Sequence, residues 1–436
     1  MGSFMATLDG SIVNLALPAL HDQFHVGITS VEWVVTAYLL AVSASLLALG
    51  RLGDLWGHRR VFVGGLFGFA IGSALCAGSS SLGELVAARV LQGLGASAMV
   101  ALGAAIITDL FPREMRGRAL GVISSVVAAG LTAGPPLGGF LLQHLSWHWI
   151  FLVNVPVGLF GAIWALRILP ERRQPLAGGF DLAGALWSAL AMSALLGALD
   201  LAARGHARAI GLFFLGTALA AGVLFAQREQ RAAEPLVDPG LFRSRLFSAG
   251  IVATLLSYTA MFASTLLTPF YLAQVRHLPA STMGLVLTAV PVGVAGVGPA
   301  AGYLSDRIGS RGLCVSGMVA LAVGLGGLAE LGARDPLWTV VVRLGLCGLG
   351  MGLFQSPNSS AVMGTLPRAR LGIGAGVLAS ARNLGMLLGI AVAGALHGLR
   401  AGPSAAGHAF LAGYALALGV AAAVATLSAV VSLVRA

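Results

Sequence analysis

A chain of 436 residues that is 57% hydrophobic and only 10% charged, with a mean hydropathy of +0.90, cannot clothe a water-soluble surface, where about a quarter of residues are ordinarily charged. Its formal net charge of +10 comes from 26 Arg, with no Lys, against 16 acids. Those Arg stand singly or in small groups between apolar runs of about twenty residues, the length that crosses a bilayer, so the charge reads as membrane topology and nucleic-acid binding is excluded.

In chain order, the apolar runs predict spans at 4–21, 31–50, 61–78, 83–107, 117–142 and 148–169, then a pair at 181–200 and 209–227. A second six follow at 247–274, 282–304, 313–332, 337–363, 372–397 and 408–433, for an expected total of fourteen. The first run begins almost at Met1, and no basic segment of the signal-peptide kind precedes it. Positively charged loops stay cytoplasmic. An inside N-terminus puts eighteen Arg on the inner side, five outside and three (Arg89, Arg343, Arg382) within spans, so both termini are expected to be cytoplasmic. Cys76, Cys314 and Cys347 all fall inside apolar runs, which points to packing and away from disulfides or thiolate metal sites.

The two sets of six spans repeat one pattern. Gly50, Asp54, Gly57 and Arg59 recur with identical spacing as Gly302, Asp306, Gly309 and Arg311, at an offset of 252. Pro112, Arg113, Gly117, Gly121, Gly130 and Gly134 recur as Pro367, Arg368, Gly372, Gly376, Gly385 and Gly389, at an offset of 255, and Arg89 and Arg343 stand 254 apart. Internal repeats are the signature of symmetric transporters. The expected organisation is an all-α membrane protein with pseudo-symmetric six-helix bundles at 1–174 and 231–436 and two inserted transmembrane helices at 175–230.

Several stretches carry a more specific signal: Leu8-Asp9-Gly10-Ser11-Ile12-Val13-Asn14-Leu15-Ala16-Leu17-Pro18, the loop Gly50 to Arg60, Gly130 with Gly134-Pro135-Pro136-Leu137-Gly138-Gly139, and Trp147 to Pro156. On these the chain resembles the major facilitator superfamily, and within it the fourteen-helix drug:proton antiporters. Leu55 and His58 replace residues that are often basic in the family loop, and His148 stands where Arg is common. The glycine-proline element looks like the antiporter motif: Gly130, Gly134, Pro135, Gly138 and Gly139. The resemblance implies the corresponding fold and a multi-pass protein of the bacterial cytoplasmic membrane. It also implies proton-coupled multidrug efflux as an antiporter, the activity behind antibiotic resistance.

Asp9 is an acid well inside the first span, where a bare carboxylate costs about 2.5–3.5 kcal/mol on insertion scales. It is therefore a candidate proton site, the alternative being a position near the inner interface. Arg89 in the fourth span either snorkels outward or, as the resemblance implies, takes part in proton coupling. Arg382 lies near mid-membrane beside Asn383, the most expensive cation in the chain. Candidate substrate contacts are Asn14, Tyr38, Gln92, Met99, Tyr258, Phe262, Gln355, Asn358, Arg382 and Asn383. Interhelix hydrogen bonding is an equal alternative for Gln355 and Asn358, and plain packing for the aromatics. Asp54 with Arg59, and Asp306 with Arg307, together with Gly50, Gly57 and Arg311, are candidate gating residues at inner helix ends, with ordinary topology charge as the alternative.

Metal binding is not expected. His21 with His25 and His144 with His148 have ligand spacing, but no acid or Cys completes a set. Gly93-Leu94-Gly95 and Gly348-Leu349-Gly350 lie in spans without the strand or Lys of a phosphate loop, and no catalytic constellation appears. The reading is a monomeric exporter, driven by the proton gradient with no cofactor, whose partners are protons, membrane lipid and a small lipophilic substrate. Its alternatives are a dedicated exporter or importer of one metabolite, and a membrane enzyme or sensor. With Arg89, Arg343 and Arg382 set against Asp9, neutral, zwitterionic or anionic cargo is expected over dications.

Overall fold

The computed structural model describes residues 1–110, 113–170, 182–203, 208–231, 239–366, 371–401 and 408–434. Among them the chain runs α1 (Gly2–Phe24), α2 (Ile28–Val31), α3 (Trp33–Trp56), α4 (His58–Ala77), α5 (Leu82–Leu110), α6 (Arg113–His144), α7 (His148–Leu152), α8 (Asn154–Ile168), α9 (Leu182–Ala203) and α10 (Arg208–Arg231). It continues through α11 (Arg245–Phe270), α12 (Ala280–Leu287), α13 (Ala289–Ile308), α14 (Ser310–Ala329), α15 (Leu337–Gly364), α16 (Leu371–Ala401) and α17 (His408–Leu433). No strand interrupts the series among the described residues. Among the described residues, thirteen helical segments are long and apolar enough to cross a membrane; at 181–200, where the sequence predicts another span, α9 runs over Leu182–Ala203.

Two predicted spans are each built from two helices, and proline accounts for both breaks. Proline has no amide to donate to the carbonyl four residues earlier. Pro156 leaves the carbonyl of Leu152 without that bond, and α7 ends at Leu152. Pro291 does the same to Leu287, where α12 ends. The chain passes directly into α8 and α13.

The residues cluster into two compact units, one holding 1–26, 33–194 and 217–234, the other 27–32, 195–216 and 235–436, with dividing lines inside α9 and α10. Within the first, α5 packs against α3 and α4, α1 against α6, and α4 against α8. Within the second, α15 packs against α13 and α14, α11 against α16, and α14 against α17. The packing order is the same, so the sequence repeat is a repeat of architecture. Gly57 and Gly309 make the point locally: each joins two helices at a positive φ, +97° and +85°, where a side chain is strained.

The helix crossings repeat as well. A Cβ on Gly95 of α5 would lie 2.7 Å from the Gly65 carbonyl of α4, and one on Gly350 of α15 would lie 2.5 Å from the Gly317 carbonyl of α14. The glycines that superficially suggest phosphate loops are thus contact points where two helix backbones meet.

Candidate functional site

Four helices of the first unit bring polar side chains together in an otherwise apolar interior. α1 supplies Asp9, α4 supplies Ser73, α5 supplies Arg89 with Gln92 one turn on, and α8 starts at Asn154. Asp9 and Arg89 are both 0% exposed. Arg89 Nη1 donates to Asp9 Oδ2 at 2.5 Å, while Gln92 Nε2 and Asn154 Nδ2 donate to Oδ1 at 2.9 and 2.8 Å. Each of these neighbours offers Asp9 an N–H and none offers it an acceptor, the arrangement suited to an ionised carboxylate.

Arg89 is held on several sides. Its Nε donates to the Val34 carbonyl at 2.9 Å and Nη1 also donates to Gln92 Oε1 at 2.5 Å. The guanidinium carbon stands 4.1 Å from the centre of the Tyr38 ring, an attractive cation–π placement. Gln92 Nε2 further donates to Ser73 Oγ at 2.8 Å. A buried ion pair persists only when its remaining polar atoms are bonded, and here only Arg89 Nη2 within the cluster lacks a partner among the described residues.

This geometry revises several expectations. Arg89 does not snorkel outward; its charge is met inside by Asp9. Gln92 and Tyr38, expected as substrate contacts, are engaged with the ion pair. Met99 is buried in an apolar cluster with Met5, Leu66 and Phe69, and Asn14 is half-buried on α1. Asn154 was not singled out, although it is the one amide in the Trp147 to Pro156 stretch and that signal was available. Ser73 carried no signal. Glu32, at the rim of the second predicted span, is another buried acid, 4% exposed.

The helix carrying Asp9 rests on a glycine face of α6. Gly130, Gly134 and Gly138 follow at four-residue steps, and a Cβ would collide with Thr7 at the first, lie 2.6 Å from Ser11 Oγ at the second and 3.0 Å from Ile12 at the third. Pro135 and Gly139 are buried beside them. Pro135 deprives the Leu131 carbonyl of its helical donor, and Ser11 Oγ of α1 donates to that carbonyl at 3.2 Å. The second unit repeats the contact: Cβ atoms on Gly385 and Gly389 of α16 would each lie 2.5 Å from α11 carbonyls, those of Leu255 and Thr259.

Near that contact, α11, α15 and α16 line a partly open cavity of about 20 Å³, room for about one water molecule. Tyr258, Gln355, Asn358 and Arg382 all line it, with Thr254, Phe354, Ser359 and Leu378. The fold thus brings four candidate contacts to one place. Phe262 lies outside the lining, its ring 6.4 Å from that of Tyr258, and Asn383 is buried elsewhere on α16. Arg343 is half-buried and donates to the Gly327 carbonyl at 2.6 Å.

Of the two expected gate pairs, Asp306 with Arg307 is not formed and Asp54 with Arg59 cannot be compared among the described residues. The Asp54 side chain lies outside the described residues. Arg59 donates to the Leu166 carbonyl of α8. Arg307 lies over the Tyr303 ring at 4.5 Å and does not pair with Asp306; both are exposed, as is Arg311. Gly50 approaches Ala101 of α5, a Cβ there falling at ordinary contact distance, 3.8 Å.

Comparison with known proteins agrees with this architecture. The Major Facilitator Superfamily model matches residues 1–390 and again 250–435. The riboflavin transporter of Clostridioides difficile is 36% identical over 393 residues, 90% of this chain and 85% of that protein. The tetracenomycin C resistance and export protein of Streptomyces glaucescens is 35% identical over 405 residues, 92% of this chain and 75% of that one. A solved xylose transporter of E. coli shares the fold, with a TM-score of 0.66 at 14% identity over 98% of this chain and 94% of that chain. As a multi-pass membrane transporter and not an enzyme, the chain belongs to the major facilitator superfamily.

Proposed function

We propose that this protein is a proton-coupled antiporter that exports lipophilic drugs or metabolites across the bacterial cytoplasmic membrane by alternating access. The buried Asp9–Arg89 pair carries the reading. When the Asp9 carboxylate takes a proton its charge is lost, Arg89 is left as an uncompensated buried cation, and the contacts joining α1, α5 and α8 must change. Proton occupancy is thereby tied to helix packing, which is the requirement for coupling. The glycine face of α6 lets α1 move with little side-chain obstruction, and supports the motif's antiporter reading. Each proton entering through the membrane potential gains about 2.3 kcal/mol per 100 mV, so no cofactor is needed.

The full proposal has fourteen spans with cytoplasmic termini, bundles at 1–174 and 231–436 flanking the inserted pair at 175–230, and a monomer as the working unit. Gly50, Asp54, Gly57 and Arg59, with Asp306, Arg307 and Arg311, serve as gate and hinge at the cytoplasmic helix ends. Export of antibiotics is supported by the resistance and export protein among the relatives. A second reading, a dedicated carrier of one metabolite, is favoured by a riboflavin transporter of similar identity.

The test is accumulation of a compound panel, riboflavin included, in an efflux-deficient host with and without this protein. Export predicts lower accumulation of several lipophilic compounds and loss of that difference with a protonophore. Raised accumulation of a single compound would replace the proposal with import of a dedicated metabolite.

A further inference from the structure

We infer that Glu32, seated against α16 beside His397, is a second proton-binding site of this transporter, separate from Asp9. The inference rests on the export reading for the use made of the proton, but what it claims is proton binding at a named pair. Residues 27–32 belong with the second unit, where α2 packs against α16. Glu32, which closes α2, is 4% exposed, and its carboxyl group fills the place where Gly394 of α16 has no side chain. A Cβ on Gly394 would collide with Glu32 Oε2 and lie 2.8 Å from the carboxyl carbon and 3.0 Å from Oε1. Gly394 is thus a cradle for the whole carboxyl group, and a methyl there would displace it.

His397 stands three residues beyond Gly394, and residues three apart share a helix face with their Cβ positions about 5–6 Å apart. Helical side chains lean back over the preceding turn, here the turn that holds the Glu32 carboxyl group. The imidazole is 2% exposed, its ring lies 4.8 Å from that of Phe410, and Nε2 has no hydrogen-bond partner among the described residues. A hydrogen bond or one bridging water joins a nitrogen so placed to the carboxyl group. An acid buried at membrane depth is paired, hydrated or protonated, and a neutral imidazole is a partner that can share its proton. With the proton bound, on Glu32 Oε2 or His397 Nε2, the pair carries no net charge; its release to water leaves a carboxylate and a neutral imidazole. Asp9 differs, because the Arg89 beside it is a fixed cation.

The other titratable groups on these helices are placed elsewhere. On α16 itself, Arg382 lies twelve residues before Gly394, about 18 Å along the axis, and Arg400 is exposed. Ahead of α2 in the chain, Asp22 and His25 are exposed. α16 also packs against α11, α15 and α17. On α11, Arg245 is at the far end and Tyr258 lines the cavity. On α15, Arg343 donates to the Gly327 carbonyl and Cys347 is buried against Gly324 of α14. On α17, the Tyr414 hydroxyl lies 3.5 Å from Thr268 Oγ1 and His408 is exposed. His397 is therefore the base that α16 presents on the face of Gly394.

Infrared difference titration of the protein in lipid nanodiscs tests the site. On going from alkaline to acidic pH the wild-type protein should gain the C=O stretch of a protonated carboxyl group shielded from water, and that band should persist in Asp9→Asn and vanish in Glu32→Gln. His397→Gln should weaken binding of this proton about tenfold, read as a shift of about one pH unit in the midpoint of the band. Gly394→Ala, which displaces the carboxyl group, should move the band toward the frequency of a hydrated acid. A Glu32 that only packs would destabilise the fold when replaced but contribute no titrating band. Absence of any such band in the wild-type protein overturns the inference, a result that needs no variant to fold. So does a band retained in full by Glu32→Gln, or a midpoint unchanged in both His397→Gln and His397→Asn. Export is judged by cellular accumulation, so a failure there leaves this titration standing, and a failure here leaves export standing.

Discussion

Replacing Asp9 by Asn preserves the side chain's size but leaves the Arg89 guanidinium, 0% exposed, with no counter-charge. Arg89→Gln does the converse: Asp9 keeps Gln92 and Asn154 as donors at 2.9 and 2.8 Å but loses its cation. Removing one partner of a buried pair costs about 3–5 kcal/mol, because the other charge stays buried, whereas replacing both with neutral groups is often close to neutral. Each single variant is therefore expected to lose about 3–5 kcal/mol, and the double variant Asp9→Asn with Arg89→Gln less than either. The cycle is read as the shift in unfolding free energy during SDS titration of protein in mixed micelles at neutral pH. Additive losses, with the double variant worse than both singles, would show that the two charges do not compensate each other and would refute the reasoning.

Gly134→Ala places a methyl group 2.6 Å from Ser11 Oγ and should cost about 1–3 kcal/mol as overpacking while slowing transport; Gly10→Ala, with nothing within 4 Å, is the matched control, and equal effects from the two would dismiss the glycine face. Asn154→Leu removes one of the donors to Asp9 and should cost about 1–3 kcal/mol, measured in the same unfolding assay; a change below the assay's error would reduce Asn154 to a bystander. Asp54→Asn is expected to favour the inward-open state, seen as longer distances between spin labels at the cytoplasmic ends of the spans at 31–50 and 372–397. An unaltered distribution leaves Asp54 as a topology marker.

What could be read from the sequence follows from how each feature is encoded. Spans depend on local hydropathy, and the repeat on spacing, so both are visible in one dimension; Gly57 and Gly309 even announce a shared backbone bend. The four-residue steps from Gly130 to Gly138 likewise mark one helix face. The helix breaks at Leu152 and Leu287 are finer than a hydropathy window resolves, although Pro156 and Pro291 stood in view. The Asp9–Arg89 pair joins residues 80 apart in the chain, and no periodicity reveals such a contact. Counting charges by span therefore placed Arg89 in a positive surplus, when it is neutralised by Asp9. For the cavity, the sequence offered Tyr258, Gln355, Asn358 and Arg382 as separate candidates, but only the fold shows that they meet and that Phe262 and Asn383 are left out of the lining.

The central claim, that cargo moves outward as protons move inward through Asp9, is tested most directly in sealed proteoliposomes that contain a luminal pH dye and a cargo identified by the accumulation screen. With cargo loaded inside, an imposed inward-directed proton gradient should drive cargo release, and an outward cargo gradient alone should acidify the lumen, because each cargo molecule that leaves is exchanged for protons that enter. Asp9→Asn protein that still binds cargo should do neither. Cargo release that leaves luminal pH unchanged in the wild type, or equal proton movement by the Asp9→Asn variant, would contradict the account.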